Sequence, residues 1–383
     1  MHVMLIPSWY SSERKKVHGS FFLEQFKELH KSGVKVTVAY NEIWPINYVG
    51  KIKDKRGISV NSESDLETYR YKDFNYLPKN PLMFKSFNRR MDKLYKKIVK
   101  ERGKIDIIHA HSCFWGGIAG YYLSQKYDIP LVVTEHTSLE NSKYVRESYK
   151  KYIFEVYNNC TRLIAVGNGL KKELENYTNN EIRVIHNLVD LSLFNIRKDE
   201  HYDEFTFFTC AYLESGKGIE TLIEAFAKSF KGNKNVQLII GGDGSLKKYL
   251  EDLSAQVGID KQTIFLGALT RKEVAREMNR CNCFVLPSEY ETFGVVYIEA
   301  TASGKPIIGT KNGGAEDIIT DTNGIIVDKK SIDKLAKALV YMKNNELKFD
   351  PEKIREEAVS KYSGDVIINK LKGVYKELLW LIY

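Results

Sequence analysis

No run in the 383 residues approaches the roughly eighteen continuous apolar positions of a membrane-crossing helix, which sets a helical spanning protein aside. The opening MHVMLIPSWY has no basic n-region and no small-residue cleavage site, so it reads as a first strand and the expected location is the cytosol. The five cysteines (Cys113, Cys160, Cys210, Cys281, Cys283) show no even spacing, so no disulfide framework is expected. Cys281 and Cys283 make a C-x-C without the companions a zinc site needs, and Cys283 leads into FVLP, the setting of a buried reduced thiol. The basic residues are not interleaved with aromatics in any recognisable module, so nucleic acid is not expected as the primary partner.

What is present is an ordinary globular composition, 43% apolar and 28% charged, in a chain too long for one comfortable core. Two domains are expected. The net charge of +9 favours anionic partners such as nucleotides, phosphates or acidic lipid. Short apolar runs alternate with amphipathic segments: VMLIPS, VKVTVAY, DIIHAH, PLVVTEH, RLIAVG and IRVIHN, then FTFFTCA, VQLIIGG, TIFLGA, CFVLP, PIIGT and GIIVD. Strands that are apolar on both faces, separated by helical patterns, imply parallel sheets covered on both sides. A polar stretch near residues 188–204 is the expected linker between two doubly wound α/β domains, with a cleft between them.

Open α/β sheets bind ligands at the carboxyl ends of their strands. The unusual residues collect there: His109 and His111, Glu135 and His136, Gly241 to Gly244, Ser288 to Glu291. Helix-capping chemistry gathers at the same ends. In EYETFGVVYIEATASGKP, Glu291 and Glu299 bracket an almost wholly apolar segment. Its small residues and its exit at Gly304 and Pro306 predict a buried helix. Glu299 then needs a partner inside it, and either a vicinal diol or a core-edge lysine fits the spacing. Glu291 precedes the helix, and Thr292, Phe293 and Gly294 form a first turn whose free N–H groups suit an anion or a sugar oxygen. An acidic residue near a helix start is equally ordinary for dipole reasons.

The segment E-T-F-G-V-V-Y-I-E-A-T-A-S-G-K-P-I-I resembles the E-x7-E signature of retaining glycosyltransferase family 4, which has the GT-B fold. KGIETLIEAF, GGDG, FLGALTRKEV, VLPSE and GTKNGGAEDIITDTNGIIVD stand in the family's order at about its spacing. The opening IPSWYSSERKKVHGSFFLEQFKEL is similar to bacterial members that build capsular, exo- or teichuronic-type polysaccharides. The likeness covers nearly the whole chain and thins between Asn41 and Lys104. It implies two Rossmann-like domains facing a central cleft. The acceptor-side domain would cover 1–188 and the nucleotide-sugar domain 189–363, with a helix over about 364–383 packed back onto the first.

By the same resemblance Glu299 binds ribose hydroxyls and Glu291 binds sugar hydroxyls with the Thr292, Phe293 and Gly294 turn. Lys217 faces the leaving diphosphate, His136 touches the donor sugar near the reacting carbon, and Gly19 brings backbone close to phosphate and acceptor. Gly242 and Asp243 of GGDG fall on the donor side, and Arg271 near the base-binding edge. The family's G-R-L-x-x-x-K-G-like loop is here A-Y-L-E-S-G-K-G, with Tyr212 in place of arginine. Tyrosine supplies no fixed charge, so another cation or the helix start after Gly218 must take the load. Asn187 and Asp190 sit in N-L-V-D where the family has N-G-V-D, and read as linker structure. No aspartates stand at D-x-D spacing, which argues against a metal-bridged diphosphate and fits a metal-independent enzyme. No cofactor is expected beyond the nucleotide-sugar donor; the expected acceptor is a lipid-linked sugar or oligosaccharide.

Phe84 to Lys104 places Phe84, Phe87, Met91, Leu94 and Ile98 three and four apart, with basic residues on the other face. That pattern suits either packing on the first domain or weak docking to the anionic cytoplasmic leaflet. Two rivals stand beside a retaining transferase: a GT-B nucleotide-sugar epimerase, which would change the donor with no acceptor present, and a non-catalytic nucleotide-sugar-binding subunit. Loss of turnover in a folded Glu291→Ala variant separates the last from an enzyme.

Overall fold

The computed structural model describes residues 1–12, 19–63, 65–142, 144–197 and 201–380. Residues 13–18 of the opening motif, 198–200 of the expected linker and 381–383 of the expected last helix lie outside the described residues. Internal contacts divide the chain into two units. One is Met1–Val166 with Leu170–Leu188 and Ile367–Tyr383; the other is Val189–Val366 with Gly167–Gly169.

In chain order the first unit contains β1 (His2–Pro7), α1 (Ser20–Lys31), β2 (Lys35–Pro45), β3 (Gly57–Glu63), β4 (Leu66–Asn75), α2 (Leu82–Arg102), β5 (Ile107–His111), α3 (Ile118–Tyr127), β6 (Leu131–Glu135), α4 (Glu147–Asn159), β7 (Arg162–Ala165), α5 (Asn168–Leu174, from Leu170 on) and β8 (Ile182–Val184). Its sheet runs β3-β4-β2-β1-β5-β6-β7-β8, and every pairing is parallel except β3 with β4. Neither β3 nor β4 was expected from the sequence. β3 is an edge strand with Ile58 and Val60 exposed, and β4 carries Glu67, Arg70, Lys72 and Asp73, so neither shows the apolar run of its neighbours. The stripe on α2 is fully used: Phe84, Phe87, Met91, Leu94 and Ile98 are buried, so none of that stripe is left for lipid.

The second unit follows with β9 (Phe205–Cys210), α6 (Ile219–Phe230), β10 (Val236–Gly241), α7 (Lys247–Val257), β11 (Thr263–Gly267), α8 (Arg271–Arg280), β12 (Cys283–Leu286), α9 (Val295–Ala302), β13 (Ile307–Thr310), β14 (Gly324–Val327), α10 (Ile332–Asn344) and α11 (Pro351–Tyr362). The last helix, α12 (Gly364–Trp380), starts in the second unit and runs into the first. Its Ile367, Leu371, Val374 and Leu378, spaced four, three and four apart, bury one face in the cluster that holds Val3, Leu5, Phe22 and Phe26.

The second sheet is wholly parallel in the order β11-β10-β9-β12-β13-β14, which numbered from β9 is 3-2-1-4-5-6. This is the doubly wound order, and it places a topological switch between β9 and β12. The first sheet repeats the arrangement around β1 and β5. Both sheets therefore direct attention to the loops after their central strands. Among the described residues no helix is long and apolar enough to cross a membrane.

Candidate functional site

In the second unit the loop after β9 and the loop after β12 flank the switch point. The first is Ala211 to Gly218, with Lys217 next to its end. Gly218 holds φ 70° at the start of α6, and a Cβ there would lie 2.1 Å from the Pro287 carbonyl oxygen, so only glycine lets the two loops approach this closely. The second loop is fastened by Glu289 N–H to the Gly216 carbonyl at 2.8 Å and by Glu291 N–H to the Asn312 carbonyl at 3.0 Å. This brings Lys217 Nζ to 2.7 Å from Glu291 Oε1, with both side chains part-exposed. Gly294 then starts α9 at φ 89°.

α9 is a helix, as its small residues and glycine exit predict, and Glu299 within it is 1% exposed. Its partner is neither a lysine nor water-facing space. Arg271, the first residue of α8, bonds Glu299 Oε1 through Nη1, and its guanidinium carbon lies 4.9 Å from the centre of the Phe194 ring. Thr270 and Glu273 fix that helix start with a reciprocal capping box. Burial pushes the Glu299 carboxyl above the usual carboxylate range, and the Arg271 charge opposes the shift. Glu299 Oε2 is buried and has no hydrogen-bond partner among the described residues, and the same holds for Ser288 Oγ at the end of β12. Burial and the Glu299 charge push the neighbouring Cys210 thiol up to about 12, which makes it inert.

Gly242 and Asp243 are placed differently. A Cβ on Gly242 would lie 1.9 Å from the Ala211 carbonyl oxygen, while the Asp243 carboxylate accepts from the N–H of the adjoining Gly244 at 2.8 Å. This turn supports the Lys217 loop, since Leu213 N–H donates to the Asp243 carbonyl. Tyr212 is 65% exposed. Asp190 receives Ser192 N–H and Oγ within a local turn, while Asn187 is buried.

In the first unit Gly19 opens α1 at φ 75°, and Phe22 of its first turn lies 4.9 Å, ring centre to ring centre, from His136. His136 follows β6, and Glu135 anchors its backbone by accepting His136 N–H and Thr137 N–H. The ring shares a hydrogen bond with His111 (Nε2 to Nδ1, 3.2 Å), while its Nδ1 is buried without a partner among the described residues. His109 is satisfied on both nitrogens, by Tyr375 Oη of α12 at 2.6 Å and by Thr134 Oγ1 at 2.8 Å. Burial holds His109 and His136 near 3 and His111 well below its ordinary value, so all three rings are neutral. Sequence reasoning missed the Arg271–Glu299 pair, the Phe194 ring under it and the His109–Tyr375 bond; positions 28 and 266 apart carry no local signal of contact. Among the described residues no three His, Cys, Asp or Glu side chains are gathered as a metal site.

Two doubly wound units, one with paired charges at its switch point, define the class: a GT-B glycosyltransferase. The chain belongs to the glycosyltransferase families whose models match it, described as Glycosyltransferase Family 4 over residues 19–193 and as Glycosyl transferases group 1 over residues 194–361. An uncharacterized glycosyltransferase of Methanocaldococcus jannaschii is 31% identical over 75% of this chain and 79% of its own length. The alpha-monoglucosyldiacylglycerol synthase of Acholeplasma laidlawii is 26% identical over 78% of this chain and 79% of its own. Among solved structures, Anabaena HepE in complex with UDP and glucose superposes with a TM-score of 0.74 at 17% identity, covering 97% of this chain and 99% of that one.

Proposed function

We propose that this glycosyltransferase is a retaining, metal-independent hexosyltransferase. It moves a sugar from a nucleoside-diphosphate donor to a glycan or lipid-linked acceptor in bacterial surface polysaccharide synthesis, at the cytoplasmic face of the membrane. The observation that carries the reading is the pair of carboxylate–cation contacts, Glu291 with Lys217 and Glu299 with Arg271, at the carboxyl ends of one doubly wound sheet.

Glu299 is oriented in advance, because Arg271 holds Oε1 and leaves Oε2 to accept from a ribose diol. Each hydrogen bond to that charge is worth about 1.5–3 kcal/mol. Lys217 has three N–H donors and uses one on Glu291, so it can hold a departing diphosphate without releasing the carboxylate. The start of α9 after Gly294 adds N–H donors for the same charge. Glu291 receives sugar hydroxyls, and His136 of the first unit, neutral and with Nδ1 unpartnered among the described residues, is a hydrogen-bonding group for an uncharged hydroxyl. The leaving phosphate takes the acceptor's proton as the new bond forms on the same face.

The relative named for complexing UDP and glucose supports a nucleoside-diphosphate donor, and the one named for a glucosylated diacylglycerol supports a lipid acceptor. The +9 charge supports residence against anionic lipid. A thermal-shift screen of nucleotide sugars tests the donor: a true ligand at a hundred times its Kd stabilises by about 2.7 kcal/mol. Absence of a shift with every uridine, guanosine, adenosine and thymidine diphosphate sugar removes the proposal. Turnover that persists in EDTA checks metal independence. Turnover absent from the wild type while binding remains would assign the chain to the non-catalytic class instead.

A further inference from the structure

The first unit carries an apolar surface that the chemistry above does not use. Among the described residues, eight of the eighteen exposed large apolar side chains fall between residues 46 and 82. Six of them sit in two loops and at the helix start that follows the second: Ile46, Tyr48 and Val49 after β2, Tyr76 and Leu77 after β4, and Leu82 as the first residue of α2. Those strands run parallel with Pro45 opposite Asn75, so both loops leave the sheet at the same end. Val49 is 56% and Leu82 59% exposed. Single exposed apolar residues need no explanation, but a contiguous group does. A small notch between Ile43, Leu77, Met83, Phe87 and Trp115 continues the apolar face inward.

The same loops are basic. Lys51, Lys53, Lys55 and Arg56 are exposed in the first, Lys79 in the second, and Lys85 and Arg89 at the beginning of α2. From Tyr76 to Arg90 there is no acidic residue, and from Pro45 to Arg56 the one acid is Asp54. A second copy of the chain would bring the same positive charges face to face, which disfavours self-pairing. Apolar tips, tyrosines and lysines together match the boundary between lipid headgroups and acyl chains.

We propose that these two loops are the surface by which the chain docks on an anionic lipid bilayer. Ile46, Tyr48, Val49, Leu77 and Leu82 enter the headgroup–acyl boundary while the surrounding lysines and arginines meet lipid phosphates. The inference rests on the membrane residence proposed above and assigns its site. It moves the apolar contact from α2, whose stripe is consumed by the core, to the loops beside that helix's start.

The test uses the full chain and vesicles of phosphatidylcholine with or without phosphatidylglycerol, at low salt. Partitioning onto the anionic vesicles should fall about tenfold or more in the combined Tyr48→Ser, Val49→Ser, Leu77→Ser and Leu82→Ser variant. It should fall less than about threefold in a Lys96→Glu, Lys100→Glu variant on α2. A Tyr48→Trp variant should shift its emission to the blue on anionic vesicles alone, and an unshifted emission overturns the surface even if the combined variant folds poorly. Wild-type protein that binds no vesicle overturns both the membrane reading and this surface. Wild-type binding that the loop substitutions leave unchanged overturns this surface and keeps the membrane reading. Self-association lost in the combined variant, with vesicle binding intact, assigns the loops to a second copy and overturns the proposal.

Discussion

The two sheets share a strand order around their switch points but end in opposite chemistry. The second unit finishes its strands with ion pairs: Lys217 with Glu291, Arg271 with Glu299, Lys330 with Glu289. The first finishes its central strands β5 and β6 with His109, His111 and His136, which burial holds neutral. A site for a charged leaving group needs fixed charges that can exchange partners. A site that handles uncharged hydroxyls does better with neutral donors and acceptors, since an unpaired charge there would have to be desolvated for nothing. The same fold thus carries an electrolyte site and a neutral site, and their pH responses should differ.

The largest expected effect tests that difference. His109 and His136 titrate near 6.5 when unfolded and near 3 when folded. Between those values the unfolded chain holds more protons, so their contribution is fully present above pH 6.5 and drains as pH falls toward 3. From pH 7 to pH 5 each costs the first unit about 2 kcal/mol, about 4 together, and Glu135, pushed up by burial, offsets a part. All four tryptophans (Trp9, Trp44, Trp115, Trp380) lie in the first unit, so guanidinium unfolding followed by tryptophan emission reads that unit alone. A midpoint that stays constant from pH 7 to 5 would erase the contrast between the two sites.

Next in size is the loss of a paired charge at the switch point. Glu291→Ala should lower kcat/KM by about 10²–10³-fold. It should change stability by less than about 1 kcal/mol, because its pair with Lys217 is part-exposed. A fall in activity matched by a fall in stability would make the pair structural.

Much of this was readable from the residues. The twelve apolar runs became twelve strands in order, because a strand buried on both faces has no other way to be written. Glu299 stood out because a lone acid in VVYIEATA demands a partner. Its partner was not readable: Arg271 belongs to another helix, and only the fold brings the start of α8 beside the middle of α9. The hairpin of β3 and β4 escaped because an edge strand needs no apolar face, so GISVNSE looks like a loop. The basic helix misled in the opposite sense. Phe84, Phe87 and Met91 satisfy a core stripe and a lipid-facing stripe equally well, and only burial distinguishes the two.

Arg271 offers a sharper form of the comparison. Arg271→Ala leaves a buried carboxylate with no counter-charge, and should cost about 3 kcal/mol, the low end for such a removal because Arg271 keeps a quarter of its side chain in solvent. Glu299→Gln in the same background removes the orphaned charge and should restore most of the stability. Nucleotide affinity should not return with it, since the neutral amide offers one acceptor where the carboxylate offers two. Calorimetric unfolding and nucleotide titration of the two variants separate these outcomes. Affinity that recovered with stability would mean that Glu299 holds the fold and not a ribose.

The smallest expected effect concerns Tyr212, which stands where the resemblance places a diphosphate-binding arginine. Its side chain is 65% exposed on the loop that ends at Lys217, so arginine can be accommodated without disturbing any packing. If the diphosphate lies against this loop, Tyr212→Arg adds one solvent-screened attraction of about 0.5–1 kcal/mol, a two- to fivefold gain in nucleotide affinity at low salt that fades as ionic strength rises. The same substitution should leave binding of an uncharged sugar unchanged. A gain that ignores salt would point to ring or packing effects. No gain at all would mean that the diphosphate is held by Lys217 and the helix starts without using this corner of the loop, which would place the charge of the leaving group deeper in the second unit than its exposed cations suggest.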